Sequence, residues 1–308
     1  MIQRLLPFAT LVALFIGLAI ASPHFWTESN LSTVIRQTVV INLMALGMTL
    51  IIISGGIDLS VGSILAFGGF MGTLSMQKGY SIPVAIAVGI AAGTMCGLLN
   101  GTLITRLKVN PFIVTLGTMG IYRGVTLLIS NGLPVNEIPL KFAFLGSGTV
   151  LRHIPVGLLI LLVCAGAMHV VLEHTRLGRY AFSIGSNPEA AFYAGIPVAF
   201  NITCVYAIAG GLTGLSGMIE ASRLMSGQPT AGNGYELQAI AAVVIGGGSL
   251  RGGEGTVLGT LVGAFIMGLL SDGSDLLGIN PYWQQVIIGA VIILAVWLDE
   301  VRKRRGVS

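Results

Sequence analysis

The feature that most constrains this chain is a succession of apolar runs, each near the length needed to cross a bilayer. A hydrocarbon core about 30 Å thick takes roughly 20 apolar residues of helix, because an α-helix rises about 1.5 Å per residue. Runs of this kind lie near 5–21, 34–53, 61–77, 82–105, 112–130, 154–172, 199–219, 237–250, 256–271 and 284–298. They predict an all-α polytopic membrane protein with about ten transmembrane helices, some broken at glycine-rich segments. With 54% hydrophobic and only 9% charged residues, the chain is too apolar for a soluble domain. Its 44 glycines are spread through the runs rather than gathered in linkers, which suits close helix packing in lipid. No polar stretch of domain size interrupts them, so residues 1–308 are read as one membrane domain.

Charge orients the set. Arg4, Arg106, Lys108, Arg176, Arg179, Arg251, Arg302, Lys303, Arg304 and Arg305 fall on the side of the N-terminus. Lys78, Lys141, Arg152 and Arg223 fall opposite. Short loops rich in Lys and Arg stay cytoplasmic, so both termini are expected inside the cell, with a multi-pass chain in the inner membrane. Arg36 and Arg123 lie within or beside runs and are expected to snorkel towards the outer interface. The first run resembles a signal peptide, but it is longer than the usual core of about 7–15 residues and is expected to stay as the first span. The basic tail after the last run reads as a topology anchor rather than a nucleic-acid site.

Several chemistries lack their residues. Cys96, Cys164 and Cys204 all lie in apolar runs and suggest no disulfide framework. The four histidines, His24, His153, His169 and His174, show no metal-binding spacing, so neither metal nor cofactor is expected. None of Lys78, Lys108, Lys141 or Lys303 follows a glycine, which excludes a P-loop. A transporter built from this chain therefore draws on an ion gradient, opens passively, or borrows an ATPase from another polypeptide.

The longest cytoplasmic connection, 173–198, distinguishes these. Asn187 is a good N-cap, Pro188 suits the first helical position, and Glu189 places a carboxylate at the positive end of the helix dipole. Gly195 supplies a stop, and Pro197 follows it. The spacing predicts a helix of about two turns over 188–194, marginal alone and in need of a partner surface. Phe192 and Tyr193 are adjacent and are expected to splay over different sectors.

Glu189-Ala190-Ala191, three residues, then Gly195 resembles the E-A-A-x-x-x-G loop of permease subunits in ATP-binding-cassette importers. The stretches "ALGMTLIIISGGIDLS", "SGGIDLSVGS", "HTRLGRY" and "QPTAGNGYELQAIAAVVIGGGSLRGGEGTVLGTLVGA" resemble the ribose-type sugar permeases. The resemblance implies a coupling helix carrying Asn187, Glu189, Ala190, Ala191, Phe192, Tyr193 and Gly195, seated on a cytoplasmic ATPase subunit. It also implies a periplasmic sugar-binding protein, a second permease chain as partner, and a monosaccharide as cargo. The rival class, an ion-coupled secondary transporter of a small polar solute, needs acids or broken-helix carbonyls in the bilayer. The spacing puts only Asp58 among the acids at that depth.

Two glycine-rich breaks complete the candidate path or gate: Gly55, Gly56, Asp58 and Ser60 in the first, Gly246 and Gly247 in the second. Asp58 sits where the third span begins and suits an N-cap, while an ionisable group at membrane depth equally suits a gate. The two breaks resemble each other, which hints at an internal repeat.

Overall fold

Each of the ten runs is a helix, with ends moved by a few residues, in a computed structural model that describes residues 2–150 and 153–304. Arg152 and Arg305 lie outside those residues. In chain order the helices are α1 Ile2–Ala21, α2 Glu28–Ile53, α3 Val61–Gln77, α4 Ile82–Leu107, α5 Pro111–Ser130, α6 Ala143–Ser147, α7 Val156–His174, α8 Arg176–Ser186, α9 Pro188–Tyr193, α10 Val198–Leu224, α11 Tyr235–Ile245, α12 Val257–Leu276 and α13 Pro281–Arg304. A two-stranded ribbon pairs Thr149–Val150 with Ile154–Pro155. Six helices, α2, α4, α5, α7, α10 and α12, are long and apolar enough to cross a membrane by length and composition.

Helices α2 and α10 form the centre, and α2 is the more completely enclosed. Against α10 lies α4, whose Gly89, Gly93, Gly97 and Gly101 recur every fourth residue and so line one face. A methyl added to Gly93 would sit 2.8 Å from the Cα of Gly214, and one on Gly101 2.6 Å from the Cα of Thr203. Lipid tails are as apolar as leucine, so helices here gain from close backbone approach rather than from escaping water. Hydroxyls add specific ties. Ser216 donates to the Val40 carbonyl at 2.8 Å, and the Thr49 and Thr260 hydroxyls meet at 2.6 Å, joining α2 to α10 and to α12.

The eighth run is short and broken by glycines. Its helix, α11, has 11 residues and stops at Ile245, because Gly246, Gly247 and Gly248 turn the chain. The preceding stretch folds back along α3. Gly227 exchanges two backbone hydrogen bonds with Val135, at 2.8 and 3.1 Å, and packs on Thr73 towards the end of α3. Gly232 packs on Gly62 at the start of α3. Between these points the chain runs along α3 as a non-helical strap of consecutive turns, with the Ala231 amide bonded to the Gln228 carbonyl at 3.2 Å, and a short helix follows.

Candidate functional site

The expected cytoplasmic helix is present as α9, and its borders derive from its sequence. Asn187 closes α8, its amide donating to Ser183 at 3.1 Å, and opens α9, its side-chain oxygen accepting from the Ala190 amide at 2.9 Å. At the far end Gly195 takes φ +80°, and the amides of Gly195 and Ile196 bond back to Phe192 and Ala191. This is the left-handed stop that glycine permits. Ala191 is buried against the protein, while Glu189, Ala190, Phe192 and Tyr193 face outward. The aromatic rings do not splay: they meet edge to face, 5.8 Å apart, as one exposed knob.

The same connection contains a second helix, α8, which was not among the expected elements. It had signals: Thr175 caps it through the Gly178 amide, and Gly178, Ala181 and Ile184 form its buried face. Near its end, Gly185 meets both glycine-rich breaks. A methyl there would collide with the Ile53 carbonyl and lie 2.7 Å from the Gly253 nitrogen. The breaks are themselves joined, because the Gly253 amide donates to the Ile53 carbonyl at 2.8 Å.

Asp58 is not the N-cap of α3. That position belongs to Ser60, whose hydroxyl caps nothing and instead donates to Asp58 Oδ1 at 2.6 Å. The Ser60 amide reaches the same oxygen at 2.7 Å, and Asn100 Nδ2 reaches Oδ2 at 3.4 Å. Tyr122 donates from its hydroxyl towards the Asn100 side-chain oxygen and the Cys96 carbonyl, both at 2.9 Å. Thr115 holds the Ile57 carbonyl and the Leu59 amide, and the Tyr206 hydroxyl lies 3.4 Å from the Ile57 carbonyl. The segment is thus tied to α4, α5 and α10, and Asp58 and Ser60 are buried. Gly56 is buried with them, Gly246 is half-buried, and Gly55 and Gly247 are exposed.

Asp58 is also not alone among buried acids, since Glu220 and Asp272 are buried too. Glu236, in the first turn of α11, lies beside Gly62. Buried Glu220 receives two bonds of 3.0 Å from Arg223 one turn on. Arg123 reaches from α5 to the strap. Its Nη1 donates at 2.7 Å to the carbonyl of Pro229 on the strap, and Glu236 attracts it from the strap's far end. Arg36 does turn aside, bonding the Ser147 carbonyl and, at 3.1 Å, the Ser32 hydroxyl. No local sequence signal pairs Arg123 with a carbonyl 106 residues away. Among the described residues no cluster of His, Cys, Asp and Glu could hold a metal ion.

The family described as branched-chain amino acid transport system / permease component matches residues 30–296. The chain is 43% identical to the ribose import permease protein RbsC of Escherichia coli (strain K12) over 297 residues, 94% of this chain and 92% of that protein. It is 42% identical to RbsC of Bacillus subtilis (strain 168), covering 96% of this chain and 92% of that protein. The D-allose transport system permease protein AlsC of Escherichia coli (strain K12) is 37% identical, over 94% of this chain and 89% of AlsC. No solved structure matches the chain.

Proposed function

From the chain's membership of this permease family, to which it plainly belongs, we propose the arrangement in which it works. It is the permease subunit of an ATP-binding-cassette importer for a monosaccharide, with hydrolysis carried out by a separate ATPase subunit and cargo delivered by a substrate-binding protein. The family description names amino acids, yet the relatives at 43, 42 and 37% identity are named for ribose and allose. That run of sugar names is the observation that carries the cargo class, and ribose is the sugar we assign.

The finer arrangement is ours as well. The chain forms one domain of ten crossings, the eighth made of the strap and α11, with both termini in the cytoplasm and a second copy completing the path. The helix α9 seats its Phe192–Tyr193 knob in the ATPase, supported by its exposure and by the Asn187 and Gly195 borders that hold it rigid. The Gly55–Ser60 and Gly246–Gly247 breaks, joined at Gly185 close to α9, act as the inner gate.

Uptake of labelled ribose by cells expressing the importer tests the reading: depletion of ATP should stop it and a protonophore alone should not. An ion-coupled carrier gives the reverse. Buried aromatic anchors lose about 2 kcal/mol or more on truncation, so Phe192→Ala with Tyr193→Ala should weaken co-purification of the ATPase at least about tenfold and abolish uptake, with membrane insertion unchanged. Normal binding and uptake by that variant would remove α9 from coupling.

A further inference from the structure

The strap between α10 and α11 places bare backbone where lipid cannot face it. Non-helical chain at membrane depth is tolerated only when protein buries it or when it lines water, since each unsatisfied amide in hydrocarbon costs several kcal/mol. Inward, the strap is satisfied: Gly227 pairs with Val135, Arg123 holds the Pro229 carbonyl, and Gly232 lies on Gly62 of α3. Outward it is not. Thr230 and Asn233 are exposed, and among the described residues their backbone amides have no protein acceptor. Gln228 is half-buried beside them.

We propose that Thr230 and Asn233 form the wall of the aqueous path through the outer half of the membrane, and that they contact the sugar as it passes. The inference rests on the monosaccharide reading for its cargo, but not for the existence of the wet wall. The chemistry suits a neutral polyhydroxyl solute. The Thr230 hydroxyl and the Asn233 side-chain amide both donate and accept, as sugar hydroxyls do, while the Gln228 amide beside them already donates to Ser226 at 3.0 Å. Arg123 and Glu236 attract each other behind them, so the wall offers little net charge to hold an ion. The contacts are few and one-sided, which lets the solute leave as readily as it arrives. The path therefore differs from the buried Asp58 network, whose donors and acceptors are already engaged with one another.

Thiol accessibility tests the wall. In the assembled importer, with Cys96, Cys164 and Cys204 changed to Ala, single variants Thr230→Cys and Asn233→Cys are exposed to a membrane-impermeant, positively charged methanethiosulfonate. Leu128→Cys, at a position 79% exposed on apolar α5, is the lipid-facing control. Both strap thiols should react at least about tenfold faster than the control in one of the nucleotide-free or vanadate-trapped states. Asn233→Trp should retain the ATPase subunit and reduce ribose uptake at least about tenfold by filling the path. Strap thiols that react no faster than the control in either state overturn the proposal, even if the unmodified importer carries ribose. So does an Asn233→Trp variant that imports at the normal rate. If the thiols react rapidly but the unmodified importer carries no ribose, the cargo assignment fails and the wet wall stands.

Discussion

The chain ends two helices with one device and then leaves them by different routes. In α2, the amides of Gly55 and Gly56 bond to the carbonyls of Ile52 and Ile51; in α11, those of Gly247 and Gly248 bond to Val244 and Val243. The aligned segments are Ile51–Gly56 and Val243–Gly248, and the first glycine of each pair takes positive φ, +83° and +92°. Beyond this point the routes part. The first climbs back among the helices, and the side chains of Asp58 and Ser60 find partners inside the protein. The second stays at the surface, with Gly247, Arg251, Glu254 and Thr256 exposed, and enters α12 through the side-chain cap of Thr256 on Gly259. Repetition at the level of the turn thus does not imply repetition of the site. The route taken after the turn decides whether a glycine break is locked or able to move. The contact at Gly185, with the Gly253–Ile53 hydrogen bond beside it, ties the two breaks together.

Breaking that tie should have the largest effect. The atoms that a side chain on Gly185 would meet are backbone, the Ile53 carbonyl and the Gly253 amide, and the Ile53 carbonyl at the end of packed α2 cannot step aside. Overpacking typically costs about 1–3 kcal/mol and more where nothing yields. Gly185→Val should lower the melting temperature of the detergent-solubilised importer and abolish ribose uptake, even though the substitution lies outside α9. Full activity would mean that the two breaks move independently.

The locked route is tested at Asp58. Asp58→Ala removes the acceptor from the Ser60 amide and the Ser60 hydroxyl together, while Asn100 keeps its 2.8 Å bond to the Ser60 hydroxyl. Each stranded donor costs about 1–3 kcal/mol unless water enters. The variant should accumulate poorly and unfold at lower temperature. Asp58→Asn keeps an oxygen towards Ser60 and turns an amide towards Asn100, so its stability should fall between those of the parent and the alanine variant. If the well-inserted Asn variant is as stable as the parent yet transports nothing, the carboxylate serves the gate rather than the lock.

The sequence made these contrasts only partly legible, for physical reasons. Hydropathy marks helices because burial along a span is nearly continuous, and all ten runs were readable that way. The caps at Asn187 and Gly195 were readable because they act within a few residues. The strap was not, since nothing local to Gly227, Pro229, Gly232 and Gly234 signals their contacts with Thr73 and Gly62 of α3. The same holds for Asp58. Its position two residues before Ser60 is local, but its partners on α4 and the ties of its neighbours to Thr115 and Tyr206 are set by packing. Helix α8 is the one omission with a local remedy, because its buried positions recur at helical spacing.

The smallest effect separates the turns themselves. Gly247 has φ +92° and open space where a side chain would stand, so its glycine is required by backbone conformation alone. Left-handed backbone costs most residues about 1–2 kcal/mol, while Asn adopts it far more readily. Gly247→Asn should therefore change stability by less than about 1 kcal/mol and leave uptake near normal. Gly55 has the same backbone requirement, but the Cα of Gly185 stands 3.6 Å from its would-be methyl. Alanine just fits that space, and the longer asparagine side chain reaches towards α8. Gly55→Asn should then lose clearly more stability and uptake than Gly247→Asn, despite equal strain in the turn. Thermal unfolding of the two Asn variants measures the difference directly. Equal losses would mean that the contact with α8 adds nothing beyond the turn, and the first break would be no more locked than the second.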